Sequence, residues 1–216
     1  MKLNFKKIGD GKPLLILHGL FGSSDNWGTL GKKFSENNLV YLIDLRNHGR
    51  SPHSQEMNYD LMADDLLELI EDENINSPII LGHSMGGKVA LLFAEKYPKH
   101  LDKLIVADIG IKAYPMHHDE ILKGLNSVNL QEISSRNQAQ KSIQIHIDNL
   151  GIQQFLLKNL YWIAKGKLAW RMNLKKKKKN IGEILKKINI YKNPTDTLFI
   201  RGEMSNYILQ EDFQNI

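Results

Sequence analysis

The chain has 216 residues, of which 42% are hydrophobic, 25% charged and 8% aromatic. These are ordinary globular values for one domain or two small ones, and they exclude a wholly disordered, collagenous or coiled-coil chain. The formal charge of +5, from 29 basic and 24 acidic residues, is too dispersed to indicate nucleic acid by itself, and the absence of cysteine excludes disulfides, thiolate metal sites and a cysteine nucleophile. No stretch reaches the roughly 18 apolar residues of a membrane helix. The N-terminal region has only the short apolar run Leu14–Leu17, so it lacks the apolar region of a signal peptide, and a soluble cytoplasmic protein is the expectation.

In chain order, Leu3–Ile8 reads as an edge strand closed by Gly9-Asp10-Gly11. Pro13–Leu17 is a wholly apolar run, as a strand buried on both faces requires. A glycine-rich loop, His18–Ser24, leads into a helix capped by Asp25 and carrying Trp27, Leu30 and Phe34. Leu39–Ile43 is a second buried strand. Residues 59–73 read as a helix with Met62, Leu66, Leu69 and Ile70 on one face. Pro78–Leu81 is a third buried strand, the segment from just after Ser84 to just before Pro98 a helix, and Leu104–Ala107 a fourth strand. From about 110 to 190 strand signals vanish and short helical stretches follow, before Thr197–Ile200 reads as another buried strand. The alternation predicts an α/β fold with a mostly parallel sheet covered by helices on both faces. The predicted core is 1–109 plus 191–216, with a helical lid inserted at 110–190.

The sharpest chemical signal is Gly82-His83-Ser84-Met85-Gly86-Gly87, which matches G-x-S-x-G between an apolar strand and a helix. A nucleophile on such a turn sits in strained backbone. Small residues two before and two after it let neighbouring chain pass close by. The following helix presents its N-terminus to developing negative charge. A serine also needs an oxyanion hole and a base. The turn His18-Gly19-Leu20-Phe21-Gly22 can aim backbone amides at Ser84; Leu20 is the expected first donor, Phe21 the reserve, and Met85 supplies the second amide. This loop lacks the lysine and spacing of a phosphate-binding loop. An ordinary glycine-rich strand–helix turn is the bland alternative.

Together, His18-Gly-Leu-Phe-Gly-Ser, Asp44-Leu-Arg-Asn-His-Gly-Arg-Ser and Gly82-His-Ser-Met-Gly-Gly-Lys resemble the α/β-hydrolase superfamily. More narrowly the chain is similar to bacterial esterases of the YbfF type, a similarity that continues through Asp108, His118-Asp-Glu-Ile and Gln154-Phe-Leu-Leu-Lys158. The resemblance implies an α/β-hydrolase fold with a helical lid, and hydrolysis of small to medium carboxylesters or thioesters by a Ser–His–acid triad. It implies no cofactor and no metal, and its partner is a small acyl substrate; no nucleic acid or membrane span is expected, and oligomeric state stays open. Asp108, directly after the fourth strand, is the expected acid. The other position used in the superfamily falls in the turn after Thr197–Ile200, where Ser205 stands in the acid's register and Glu203 lies close by but out of register.

The base is the difficult part of this reading. The superfamily order is serine, acid, histidine, with the histidine after the last strand, and no histidine follows His146. The expectation is a chain that stops before its last strand, histidine loop and final helix. The competing expectation is a truncated, catalytically dead homologue that binds an ester or a partner, or is a gene relic. Of the other histidines, His18 is expected to brace the oxyanion loop, His48 to hold its own turn, and His83 to pack away from the Ser84 hydroxyl. His100 and His146 are expected at the surface, and His117 and His118 near the pocket. The His117-His118-Asp119-Glu120 run reads as a polar helix start rather than a metal site, because adjacent helical side chains diverge by about 100°. The Lys175–Lys179 run is read first as a solvated face, and otherwise as a surface for nucleic acid, anionic lipid or an anionic acyl carrier. Phe155, Leu156, Leu160, Trp162 and Trp170 either line an acyl pocket or pack the lid, the latter being expected for most of them.

Overall fold

The computed structural model of the chain describes residues 1–116 and 118–214, without the side chains of 175–179. Its strands, in chain order, are β1 (Asn4–Ile8), β2 (Lys12–Leu17), β3 (Asn38–Asp44), β4 (Ile79–His83), β5 (Lys103–Ala107), β6 (Leu160–Ala164), β7 (Lys167–Trp170) and β8 (Thr197–Ile200). Six of them form one sheet in the order β1-β3-β2-β4-β5-β8. Only the β1–β3 pair is antiparallel.

Parallel neighbours need crossovers, and helices supply them. Helix α1 (Gly28–Phe34) follows β2, α2 (Tyr59–Asp72) follows β3, and α3 (Met85–Lys96) follows β4. Successive strand residues point to opposite faces. Leu15, Leu17, Tyr41, Ile43 and Ile80 accordingly enter the core that α2 and α3 cover, whereas Leu14, Ile16, Val40 and Leu42 face Trp27 and Phe34. The α2 stripe inferred from periodicity, Met62, Leu66, Leu69 and Ile70, is buried as expected. Its helix starts where the Asn58 side chain accepts the Leu61 amide, replacing one backbone bond the first turn lacks.

Between β5 and β8 the chain builds α4 (Asp119–Asn126), α5 (Arg136–Ile143), α6 (Leu150–Leu157), the β6–β7 pair and α7 (Leu174–Leu185). These elements close around their own apolar cluster, which includes Leu125, Ile143, Leu156, Leu160 and Leu168. Phe21, from the loop after β2, is buried in that same cluster. Burial of a ring of this size contributes on the order of 2 kcal/mol, so the loop and the inserted segment hold each other in place.

Three expectations need correction. Residues 160–170 form an antiparallel hairpin where the sequence suggested helices alone. Tyr161, Trp162, Ile163 and Trp170 favour extended chain, and Gly166, at φ 73°, makes the reversal. β8 is not fully buried: it has a partner only in β5, and Leu198 and Ile200 are exposed. Asp25 does not cap α1. It lies in the 3-10 turn Ser24–Trp27 and pairs with Lys6 and Arg50, while the Asn26 side chain accepts the Ser23 amide at 2.7 Å.

Candidate active site

Strand register brings three loops to one edge of the sheet. Leu17 sits opposite Gly82, and His83 opposite Ala107. The residues that come next, His18, Ser84 and Asp108, therefore leave the C-terminal ends of three adjacent strands, where open α/β sheets place their ligand sites.

Ser84 has φ 50° and ψ −119°, outside the ordinary range for a residue with a side chain. The strain is maintained by close packing around it. A Cβ on Gly82 would lie 2.3 Å from the Gly86 carbonyl oxygen, and one on Gly86 would lie 2.5 Å from that of Leu17. Only glycine lets strand, turn and helix approach this closely. Ser84 is half-buried at the start of α3, and its amide still donates to the Ala107 carbonyl at 3.0 Å.

The loop after β2 closes over this turn. Its Gly19–Gly22 reversal is held by the Gly22 amide on the Gly19 carbonyl at 2.9 Å. The Gly19 backbone approaches so near that a Cβ there would meet Ser84 Cβ at 3.3 Å. His18 braces the loop as expected. The Leu45 amide donates to its Nε2 at 3.1 Å, so Nδ1 carries the proton and donates to the Gly19 carbonyl at 2.8 Å. Leu20 and Met85 line the same cleft as Ser84, whereas the Phe21 ring is buried in the inserted segment and its carbonyl accepts from Asn159 at 2.7 Å.

The Arg-Asn-His-Gly turn supports this edge. Asp44 is fully buried and accepts from the Ser24 amide at 2.6 Å, from Asn4 Nδ2 at 2.8 Å and from the Arg50 amide at 3.0 Å. Gly49 has φ 54°, and a Cβ there would strike the Asp44 carboxylate. Arg46 forms a buried two-pronged pair with Asp65 at 2.6 and 2.7 Å. His48 Nδ1 lies 2.9 Å from the Arg46 carbonyl, which fits its expected role in the turn.

Asp108 has φ 55°, and the Gly202 amide donates to its Oδ1 at 3.1 Å. Ser205 lies beside Gly202, and Glu203 is exposed. His83 is not packed as expected; it is exposed, with its ring edge-on to Trp27 at 6.3 Å. His117 and the Lys175–Lys179 side chains lie outside the described residues. His118 is buried and lines the cleft; among the described histidines it alone does so.

The cleft is narrow, with a cavity volume of only about 20 Å³. Ile109, Tyr114, His118, Ile184 and Leu185 also line it, as do Tyr59 and Tyr207. The sequence reading missed these three tyrosines. The Tyr59 hydroxyl donates to the Ile184 carbonyl at 2.6 Å. The Tyr114 hydroxyl accepts the Gly110 amide and donates to the Tyr207 carbonyl, both at 2.8 Å. Burial raises both phenols, that of Tyr114 to about 12, so they remain neutral donors at ordinary pH. The helical position of Tyr59, at the start of α2, was the only available signal, and it marks core equally well. The apolar residues weighed for an acyl pocket are elsewhere: Leu156 and Leu160 are buried in the inserted cluster, Phe155 and Trp170 pack on it, and Trp162 is exposed.

Residues 12–129 match the family model described as the alpha/beta hydrolase fold. The chain is 33% identical over 219 residues to esterase YbfF of Escherichia coli, covering 98% of this chain and 84% of that one. It is 34% identical over 223 residues to the sn-1-specific diacylglycerol lipase ABHD11 of Danio rerio, covering 98% of this chain and 69% of the other. A solved marine microorganism esterase superposes with a TM-score of 0.95 at 40% identity, over 99% of this chain and 85% of that one. Among the described residues no helix is long and apolar enough to cross a membrane. With this sheet order and this strand-to-helix turn, the chain belongs to the α/β-hydrolase family, a hydrolase among esterases and lipases.

Proposed function

We propose that the chain is a serine carboxylester hydrolase, extending to thioesters, with Ser84 as nucleophile. The carrying observation is the positive φ of Ser84 at the mouth of a cleft it shares with Leu20 and Met85. In this reading the Ser84 hydroxyl oxygen attacks the acyl carbon and its proton passes to an imidazole. The carbonyl oxygen becomes an oxyanion held by the Leu20 and Met85 amides, and the start of α3 favours the same charge. Collapse expels the alcohol or thiol, which takes the proton back from the imidazolium, and water then repeats the sequence to release the acid. Asp108 is the acid that orients the imidazole. Leu20 is preferred to Phe21 as the first oxyanion donor because Leu20 lines the cleft with Ser84 and Phe21 does not; the inserted segment, residues 110–190, acts as the lid.

The apolar Ile109, Ile184 and Leu185 that line the cleft support a small to medium acyl group as substrate. For the proton acceptor, His118 is the described imidazole to test first, since it shares the cleft with Ser84. The test is hydrolysis of p-nitrophenyl acetate and butyrate by the chain and by Ser84→Ala and His118→Ala. Loss in both variants makes His118 the base. Loss in Ser84→Ala alone leaves the nucleophile assigned and removes His118. Equal rates in all three reject serine catalysis and favour the binding-protein reading.

A further inference from the structure

Lys88 is buried to 1% exposure on α3, one helical turn beyond Ser84. Among the described residues it is the only buried lysine, and burial alone lowers its ammonium from the ordinary lysine value. An ammonium in such a place needs acceptors. It finds two backbone carbonyls, those of Lys112 at 2.7 Å and Lys186 at 2.6 Å. It also lies 4.9 Å from the centre of the Tyr114 ring and 5.7 Å from that of Tyr59, both within cation–π range.

Those two carbonyls occupy corresponding places at the two ends of the inserted segment. Lys112 lies on the chain leaving β5, and Lys186 on the chain returning from α7. The two stretches also bond to each other, the Tyr114 amide to the Leu185 carbonyl and the Ile188 amide to the Ile111 carbonyl, both at 2.9 Å. Their own side chains turn outward, Lys112 to Asp212 and Lys186 to Glu183. The cleft residues Tyr114, Ile184 and Leu185 lie on these same stretches.

We propose that Lys88 is a positioning residue that clasps the entry and exit of the inserted segment to the nucleophile helix and thereby sets the wall of the cleft facing Ser84. The clasp joins what would otherwise be two independent connections into one hinge with a fixed distance from α3. A hydrophobic residue could fill the volume but would leave both carbonyls without a partner. Arginine keeps the donors but spreads them over a planar fork in place of a compact ammonium, so Lys88→Arg is not a conservative change here.

The kinetic part of the test rests on the Ser84 reading, whereas the exchange part does not. Hydrogen exchange of the Tyr114 and Ile188 amides is measured in the full chain and in Lys88→Met, Lys88→Gln and Lys88→Arg, beside thermal melting. The clasp predicts that exchange at these two amides accelerates at least tenfold in Lys88→Met, with amides of the β2–β4 core unchanged, and that Lys88→Gln, which keeps a donor, recovers part of the loss. On short p-nitrophenyl esters it predicts a rise of about tenfold in KM with kcat within about threefold. Unchanged exchange at Tyr114 and Ile188 in a folded Lys88→Met overturns the proposal, as does acceleration spread uniformly over the chain, which would mark a merely structural lysine. Accelerated exchange without ester hydrolysis in the parent chain upholds the clasp and rejects the Ser84 reading instead.

Discussion

The Ser84 amide donates to the Ala107 carbonyl at 3.0 Å, one residue before Asp108. The turn that carries the proposed nucleophile and the turn that carries the proposed acid thus leave the sheet from the same rung. Their separation is set by strand pairing, not by loop flexibility, and both residues hold positive φ, 50° and 55°. Replacing Gly82 by alanine tests how tightly that rung is packed. The added methyl meets the Gly86 carbonyl at 2.3 Å, so either strand or helix must shift. The expected cost is about 2–3 kcal/mol of stability in urea unfolding, typical of forced overpacking. A change below about 0.5 kcal/mol would show that the turn is looser than described.

A second expectation concerns Arg46 and Asp65. Their two-pronged pair is buried, with side chains 7% and 2% exposed, and Arg46 also donates to the Glu56 and Leu61 carbonyls at 3.3 and 3.2 Å. Removing Asp65 strands the Arg46 charge, so Asp65→Asn is expected to cost about 3–5 kcal/mol, whereas Arg46→Met should cost less because Asp65 keeps the Met1 ammonium at 2.6 Å. The double substitution should cost less than the sum of the two. Additive losses in a double-mutant cycle would show that the pair is not coupled.

The pH dependence of Lys88 can be worked out with its sign. Burial lowers its ammonium to about 8, from an ordinary value near 10.5. Below about pH 8 the amine is charged in both folded and unfolded chains, and folding bears the cost of burying that charge. Between about 8 and 10.5 the unfolded chain holds the proton more often, so the contribution of Lys88 to stability rises with pH. The neutral amine still has two N–H bonds for the two carbonyls. The stability difference between the parent chain and Lys88→Met is therefore expected to widen from pH 8 to pH 10 in denaturant titrations. Narrowing over that range contradicts the assignment.

Much of the sheet was legible from sequence because its strands are short apolar runs whose length and glycine punctuation leave few alternatives. The elbow around Ser84 was legible because sterics there admit only glycine on either side. What was not legible lies in the inserted segment. The β6–β7 hairpin mixes aromatic and basic residues without clean alternation, since Trp162 and Ile163 are exposed while Leu168 is buried. The tyrosines of the cleft were hidden for another reason: Tyr59 and Tyr114 meet only through tertiary contacts between α2 and a stretch more than 50 residues away. Lys88 was read as part of a motif, and nothing local shows that its ammonium points inward.

His18 offers a subtler expectation. Its Nδ1 proton and Nε2 lone pair link the Gly19 carbonyl to the Leu45 amide. His18→Phe keeps an aromatic ring but breaks both links, so the loop after β2 should lose its brace with a stability cost of about 1–3 kcal/mol. Ester hydrolysis is expected to fall mainly in kcat. A variant with unchanged kcat would show that the loop needs no such support.

The most direct measurement of the central claim is intact and peptide mass spectrometry after exposure to a fluorophosphonate, which marks only an activated serine. The account predicts a single adduct, located on Ser84 and absent from Ser84→Ala. No adduct on the folded parent chain, or an adduct that persists in Ser84→Ala, would contradict it.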